Sequence, residues 1–200
     1  AASDVYKRQV LSPTRKGVCG TVNLNRALQA ALNPPAAGKR QKLWGDMVFR
    51  EGDRVMQTRN NYDVVWEKDD GAMGAGIFNG DVGVIQEIDP SGELITIQFD
   101  DRTCVYTADL LNQLDMAYAM TVHKAQGSEY RCVVLVSAAV APALMVRGVL
   151  YTAITRAREL LVLVGDDVAP GQMAANDRQQ RRYSGLRRRL REEAANHGME

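Results

Sequence analysis

Two runs of this chain, residues 131–137 (RCVVLVS) and 159–165 (ELLVLVG), are apolar at nearly every position instead of at every second one. A strand of that kind must hide both faces, and a parallel sheet covered by helices on each side is the arrangement that does so. Between them, residues 146–158 (VRGVLYTAITRAR) have helical periodicity, and upstream MAYAM (116–120) and VLSP (10–13) read as further strands. After VLSP, Leu24, Leu28, Ala31 and Leu32 recur at helical spacing. Asn33, Pro34 and Pro35 stop that helix, because proline lacks the donor and restricts the residue before it. A flexible Ala/Gly/Lys segment is expected next. The fold class implied is α/β.

From about residue 49 to 112 the pattern changes to short alternating strands with turn signals, which describes a small β-barrel inserted into the α/β part. GDRVMQT, DVGVIQEI, ELITIQF and RTCVYT read as strands, with turns at Asn79-Gly80, at Asp89-Pro90-Ser91-Gly92 and at Asp100-Asp101. Residues 68–76 read as an exposed loop. The expected division is residues 1–48 and 113–168 for the two parts of the α/β domain, 49–112 for the barrel, and 169–200 for a basic tail. Within that tail, 179–195 reads as a helix with Leu186 and Leu190 one turn apart.

Several classes of function drop out. The longest apolar stretch, between Arg131 and Arg147, contains a proline and is shorter than a membrane helix needs. No basic leader with an apolar core opens the chain, so a cytoplasmic protein with no membrane partner is expected. Cys19, Cys104 and Cys132 form no CxxC pair and are odd in number, which suggests neither a zinc site nor a disulfide framework. No residues are assigned to a metal. Net charge is only +1, yet from Arg178 onward seven Arg face three Glu, so the positive excess is concentrated in the tail. That run fits either a phosphate-contacting segment or a solvated helix face.

The densest chemistry lies in residues 117–130 (AYAMTVHKAQGSEY). A strand delivers the backbone to Thr121, which can cap the following turn and leave N–H groups for a phosphate. Gly127 allows close backbone approach, Glu129 can accept a hydrogen bond from a sugar hydroxyl, and His123, Lys124 and Gln126 add donors. Taken singly, each of these residues also suits a plain surface turn. As a string, T-x-H-x-x-Q-G-x-E resembles motif V of superfamily 1 helicases. LYTAITRAR (150–158) is similar to motif VI of the same superfamily, with Thr152 and Arg156 one helical turn apart and Leu150, Ala153, Ile154 and Ala157 facing inward. Residues 10–34 resemble the motif IV region of RecD-like members, and GDRVMQTRNNYD with FNGDVGVI resembles their inserted SH3-like barrel.

The resemblance to RecD-like superfamily 1 DNA helicases implies a second RecA-like domain, of the P-loop NTPase type, with an inserted SH3-like β-barrel. It implies that Arg156 reaches the γ-phosphate of ATP from the domain opposite the one that holds it, a role that suits a planar, always charged fork of donors. Gly127, Glu129 and either Arg15 or Lys16 are the other expected ATP-binding residues. Thr121, His123, Lys124, Gln126 and Thr152 are expected to contact single-stranded DNA. Asn60, Asn61 and Tyr62 either supply phosphate donors and a stacking ring or merely close a turn.

The chain contains no GxxxxGK[ST] loop and no apolar strand ending in Asp-Glu. ATP with Mg2+ is the implied cofactor, and its metal ligands belong to a first RecA-like domain expected before residue 1. Without that domain the chain should not hydrolyse ATP alone. Truncation is the expectation, since residues 10–11 read as a central strand with little before it, and SDVYKRQ (3–9) resembles translated sequencing-adapter read-through. Movement 5′ to 3′ along single-stranded DNA comes from the resemblance. The same motifs also allow a non-catalytic nucleic-acid-binding module, a relaxase-helicase, or the RecD subunit of a recombination nuclease.

Overall fold

The computed structural model describes residues 8–178 and 185–196. The reading of residues 3–9 therefore falls largely outside the described residues, as does that of 179–184 in the tail.

A four-stranded parallel sheet forms the α/β part. Its strands are β1 (Arg8–Ser12), β11 (Ala119–Thr121), β12 (Tyr130–Val136) and β13 (Ala157–Val164), in the order β11-β1-β12-β13. The continuous apolar pattern has the expected result in the inner strands: Leu11, Val133 and Leu135 are buried on a core with Leu150, Ala153 and Met173. The cover expected on both faces does not extend to β13, where Leu160, Leu163 and Val164 are about half exposed at the sheet edge.

Three helices flank this sheet: α1 (Thr21–Leu32), α2 (Arg147–Ile154) and α3 (Val168–Ala175). Asn33 ends α1 just before the two prolines, as its sequence requires, although Leu32 of the apolar stripe is exposed. The helix expected through Arg158 stops at Ile154. The Tyr130 N–H donates to the Arg156 carbonyl (2.8 Å) and Tyr130 pairs with Ala157, so the sheet draws the chain into β13 three residues later. Ile154, expected inward, is exposed. A fourth helix, α4 (Leu186–Asn196), lies in the basic tail.

The inserted module is a seven-stranded antiparallel sheet built from β4 (Arg54–Gln57), β5 (Asn61–Lys68), β6 (Met73–Ile77), β7 (Val82–Ile88), β8 (Leu94–Phe99), β9 (Arg102–Thr107) and β10 (Leu114–Met116). Their order is β10-β4-β7-β8-β9-β5-β6. They wrap one core containing Phe49, Ile85, Ile97, Phe99 and Tyr106, all fully buried. A separate hairpin, β2 (Gln41–Trp44) and β3 (Met47–Arg50), adds Trp44 and Met47 to that core. Residues 41–50 are therefore a hairpin, whereas a flexible segment and then no strand before GDRVMQT were expected. Likewise residues 68–76 are not a loop: β5 and β6 pair across a tight turn in which the Gly71 N–H donates to the Lys68 carbonyl (2.9 Å).

The two parts meet along β4 and β10. Val55, Leu114 and Met116 enter the barrel core, while Met56, between them in the ladder, enters the α/β core. Alternation along one strand thus serves two cores, and burying Met56 alone contributes about 2 kcal/mol. The Ala117 N–H then donates to the Arg54 carbonyl (2.8 Å) where the chain leaves the barrel.

Candidate nucleic-acid and nucleotide site

Strand β11 is the edge of the parallel sheet, so the outer backbone groups of Ala119 have no neighbouring strand. Asn25 of α1 supplies one. Its amide accepts from the Ala119 N–H (2.7 Å) and donates to the Ala119 and Met116 carbonyls (2.9 and 3.1 Å). This clamp fixes the strand that ends in Thr121.

Beyond Thr121 the chain folds into successive tight turns. The Val122 N–H donates to the Ser12 carbonyl (3.1 Å), the Ala125 N–H to the Thr121 carbonyl (3.1 Å) and the Ser128 N–H to the Ala125 carbonyl (3.2 Å). Thr121 Oγ1 caps the turn by accepting from the Lys124 N–H at 3.3 Å. Val122 and Ala125 point into the core, which turns His123, Lys124 and Gln126 outward. Gly127 has a φ of +86° with open space where a Cβ would stand, so its backbone is bare to an approaching group.

On one side of this turn the Lys124 ammonium meets Asp115 at 3.0 Å, and the Arg15 guanidinium approaches the same carboxylate oxygen at 3.6 Å. Arg15 projects from a loop tied to itself: Ser12 Oγ donates to the Cys19 carbonyl (2.8 Å) and the Gly20 N–H to the Gly17 carbonyl (3.1 Å). A Cβ at Gly20 would lie 2.6 Å from the Arg15 carbonyl oxygen, so this compact loop requires glycine there. Arg15, Arg26, Thr121 and Lys124 rim a cleft of about 390 Å³ whose floor includes Met56, Met116 and Met120. Lys16 is exposed.

On the other side lie the residues expected to face nucleotide. Arg156 is half-buried and donates to the carbonyls of Ser128 (2.9 Å) and Thr152 (3.2 Å) and to Thr155 Oγ1 (3.2 Å). Its bond to Ser128 joins the end of α2 directly to the turn that begins at Thr121. Thr152 turns its hydroxyl back onto the Gly148 carbonyl (2.8 Å). Glu129 pairs with Arg158 (2.6 Å), and Glu159 with Arg131 (2.7 Å), so that among the described residues no carboxylate pairs with the Arg156 fork. The bond from Arg131 holds the Glu159 carboxyl below its ordinary range.

The structure therefore brings Thr121, His123, Lys124 and Gln126 onto one turn, with Gly127, Glu129 and Arg156 at its far end. Arg15, one of the two residues of which either was expected at the nucleotide, stands with Thr121 and Lys124. In the barrel, Asn61 is turned inward and donates to Gln113 Oε1 (3.0 Å), whereas Asn60 and Tyr62 are exposed. Asp115 and Asn25 carry no sequence signal, because each works through a partner distant in the chain. Among the described residues no group of three His, Cys, Asp or Glu side chains could hold a metal ion, and no helix is long and apolar enough to cross a membrane. The donor set fits one wall of a nucleotide site, with an arginine fork, a carboxylate and a bare glycine backbone, but not the magnesium.

Residues 24–99 match the SH3 domain of ATP-dependent RecD-like DNA helicases, and residues 116–164 match the UvrD-like helicase C-terminal domain. The chain is 36% identical over 183 residues to the ATP-dependent RecD2 DNA helicase of Deinococcus radiodurans, which covers 92% of the chain and 23% of that protein. It is 30% identical to the RecBCD enzyme subunit RecD of Mycolicibacterium smegmatis, over 96% of the chain and 30% of that protein. The chain thus spans under a third of the length of these relatives. Among solved structures, Bacteroides Pif1 bound to single-stranded DNA superposes with a TM-score of 0.53 at 14% identity, covering 99% of this chain and 48% of that one. At that identity the likeness speaks for the fold, a RecA-like helicase domain.

Proposed function

The chain belongs to the RecD-like DNA helicases of superfamily 1, and on that premise we propose that it is the C-terminal motor half of an ATP-dependent helicase that moves 5′ to 3′ along single-stranded DNA. In this reading Thr121, His123, Lys124 and Gln126 grip the strand, with Arg15 beside them. Thr152, expected to join them, has its hydroxyl committed within its own helix. Gly127, Glu129 and Arg156 would hold ATP from this side, and a preceding RecA-like domain would hold the phosphates and magnesium. Bound ATP supplies the phosphoanhydride whose cleavage drives the motor.

The observation that carries the reading is the bond from Arg156 to the Ser128 carbonyl. It ties the residue proposed to sense the γ-phosphate to the turn proposed to hold DNA, so displacement of one is felt at the other without an intervening element. Among the described residues no carboxylate pairs with Arg156, which leaves its planar fork available to phosphate oxygens. Its positive charge would offset the negative charge that develops as the phosphoryl group departs.

The test joins this chain to a matching N-terminal half. Arg156→Ala should lower DNA-stimulated ATP hydrolysis by about 10³-fold, with binding of an oligo-dT strand and the melting temperature nearly unchanged. Unaltered ATP turnover would sink the motor reading and leave a non-catalytic nucleic-acid-binding module.

A further inference from the structure

The barrel buries Phe49, Phe99 and Tyr106 completely but leaves two rings in water, Tyr62 at 67% exposure and Phe78 at 42%. Tyr62 is the second residue of β5 and Phe78 follows β6, so the pairing of Asn61 with Ile77 brings the rings together. Their centroids are 5.7 Å apart with an interplanar angle of 74°, an edge-to-face arrangement.

Neighbouring groups hold the pair in place. The Phe78 N–H donates to Asp81 Oδ2 (3.1 Å), and Arg102 fixes that carboxylate (3.0 Å). The Asn79 N–H donates to Asn60 Oδ1 (3.0 Å), while the Asn60 amide donates to the Tyr62 hydroxyl (3.3 Å). Gly76 has a φ of +106°, and a Cβ there would stand 3.2 Å from Phe78 Cζ, so the glycine makes room for the ring. Exposed apolar surface that is fixed this firmly has little ordering entropy left to lose on binding.

We propose that Tyr62 and Phe78 form a stacking platform for the bases of single-stranded nucleic acid. The inference rests on the single-strand reading above and extends the grip onto the barrel. The groups beside the rings fit a nucleotide better than an apolar protein surface. Asn60 and Asn79 are exposed polar groups beside the rings, and Arg59, exposed and next to Asn60 in the chain, donates to Asn112 (2.5 Å). Asn112 lies three residues before Asp115, the carboxylate that Lys124 and Arg15 share. Arg59 and the Lys124–Asp115–Arg15 cluster are thus tied to one short segment, residues 112–115. Aromatic faces with adjacent phosphate donors are how sequence-tolerant single-strand sites are built.

The experiment measures binding of the 200-residue chain to fluorescent oligo-dT and to an abasic oligomer of equal length. Phe78→Leu keeps apolar bulk but removes the π-face, and should weaken oligo-dT binding about 10-fold while leaving the abasic oligomer unaffected. Phe78→Trp should bind oligo-dT as the unaltered chain does. The slope of affinity against salt should stay the same in Phe78→Leu and flatten in Lys124→Ala, since only the latter loses a phosphate contact. Unchanged oligo-dT binding by Phe78→Leu, or equal losses on both oligomers, overturns the platform. If Lys124→Ala weakens binding and Phe78→Leu does not, the platform alone fails. No binding by the unaltered chain sinks both this inference and the reading beneath it.

Discussion

Asp53 is fully buried and shows how single residues tie this molecule together. Its carboxylate accepts from Gln29 (2.5 Å) and Asn33 (2.6 Å) of α1 and its cap, from the Arg50 N–H (2.7 Å), and from the Tyr118 hydroxyl (2.8 Å). Burial, and next the charge of Asp53, push the Tyr118 hydroxyl well above its ordinary range, so it remains a donor. Asp53→Ala would leave the buried Arg50 N–H and Tyr118 hydroxyl without this acceptor and take one of two acceptors from each of the Gln29 and Asn33 amides, and urea unfolding should show a loss of about 3 kcal/mol; a loss under 1 kcal/mol would mean that water replaces the carboxylate. At this scale the sequence was legible only where chemistry is local. Thr121 to Glu129 announces itself because nine consecutive positions carry the pattern. Asn25 clamps a backbone 94 residues away, and nothing in its own neighbourhood marks it.

Among the elements, continuous and alternating apolar patterns located β1, β4, β7, β8, β9, β11, β12 and β13 but not β2, β3, β5, β6 or β10, and the departures described here have identifiable causes. Strand β6, MGAGI, reads as loop because glycine weakens a strand. Yet a Cβ at Gly74 would stand 2.3 Å from the Trp66 ring, so glycine is what lets the indole lie across this strand. Helix α2 ends early because sheet pairing at Tyr130 overrides helical periodicity. The turn between β7 and β8 was legible and carries its own pH dependence. The Ser91 hydroxyl and then the Leu94 N–H hold the Asp89 carboxyl down at about 2, below its ordinary 3.8. A depressed folded value means that the unfolded chain takes up the proton first, so the stabilisation is present above pH 4 and disappears as pH falls toward 2. Thermal melts of Asp89→Asn should therefore lie below those of the unaltered chain near neutrality and converge with them as pH approaches 2; a gap of constant size would refute the link.

For the whole molecule, the shared strand pair β4–β10 matters more than either core alone. Val55 and Met56 are adjacent residues in different cores, so neither core can open without disturbing the ladder that orders the other. Trp44 and Trp66 both pack on the barrel, whereas the helical signal comes largely from α1 to α3. Fluorescence and far-UV circular dichroism should trace one urea transition, and two separated midpoints would show that the parts unfold independently. The α/β class and the inserted barrel were readable from the change of period along the chain. The seam was not, because alternation assigns faces to a strand without saying what each face meets. The hydrogen bond between Ala117 and Arg54 gives that seam a second meaning. The chain enters the seven-stranded sheet at Arg54 and leaves it at Met116, so the ends left by excising that sheet would already be touching, while the β2–β3 hairpin would stay behind with Trp44, Met47 and Phe49 uncovered. Closing so narrow a gap costs little chain entropy, so the parallel sheet holds its register whatever the length of chain sent out between Arg54 and Ala117, and the hairpin is what commits that excursion to this barrel.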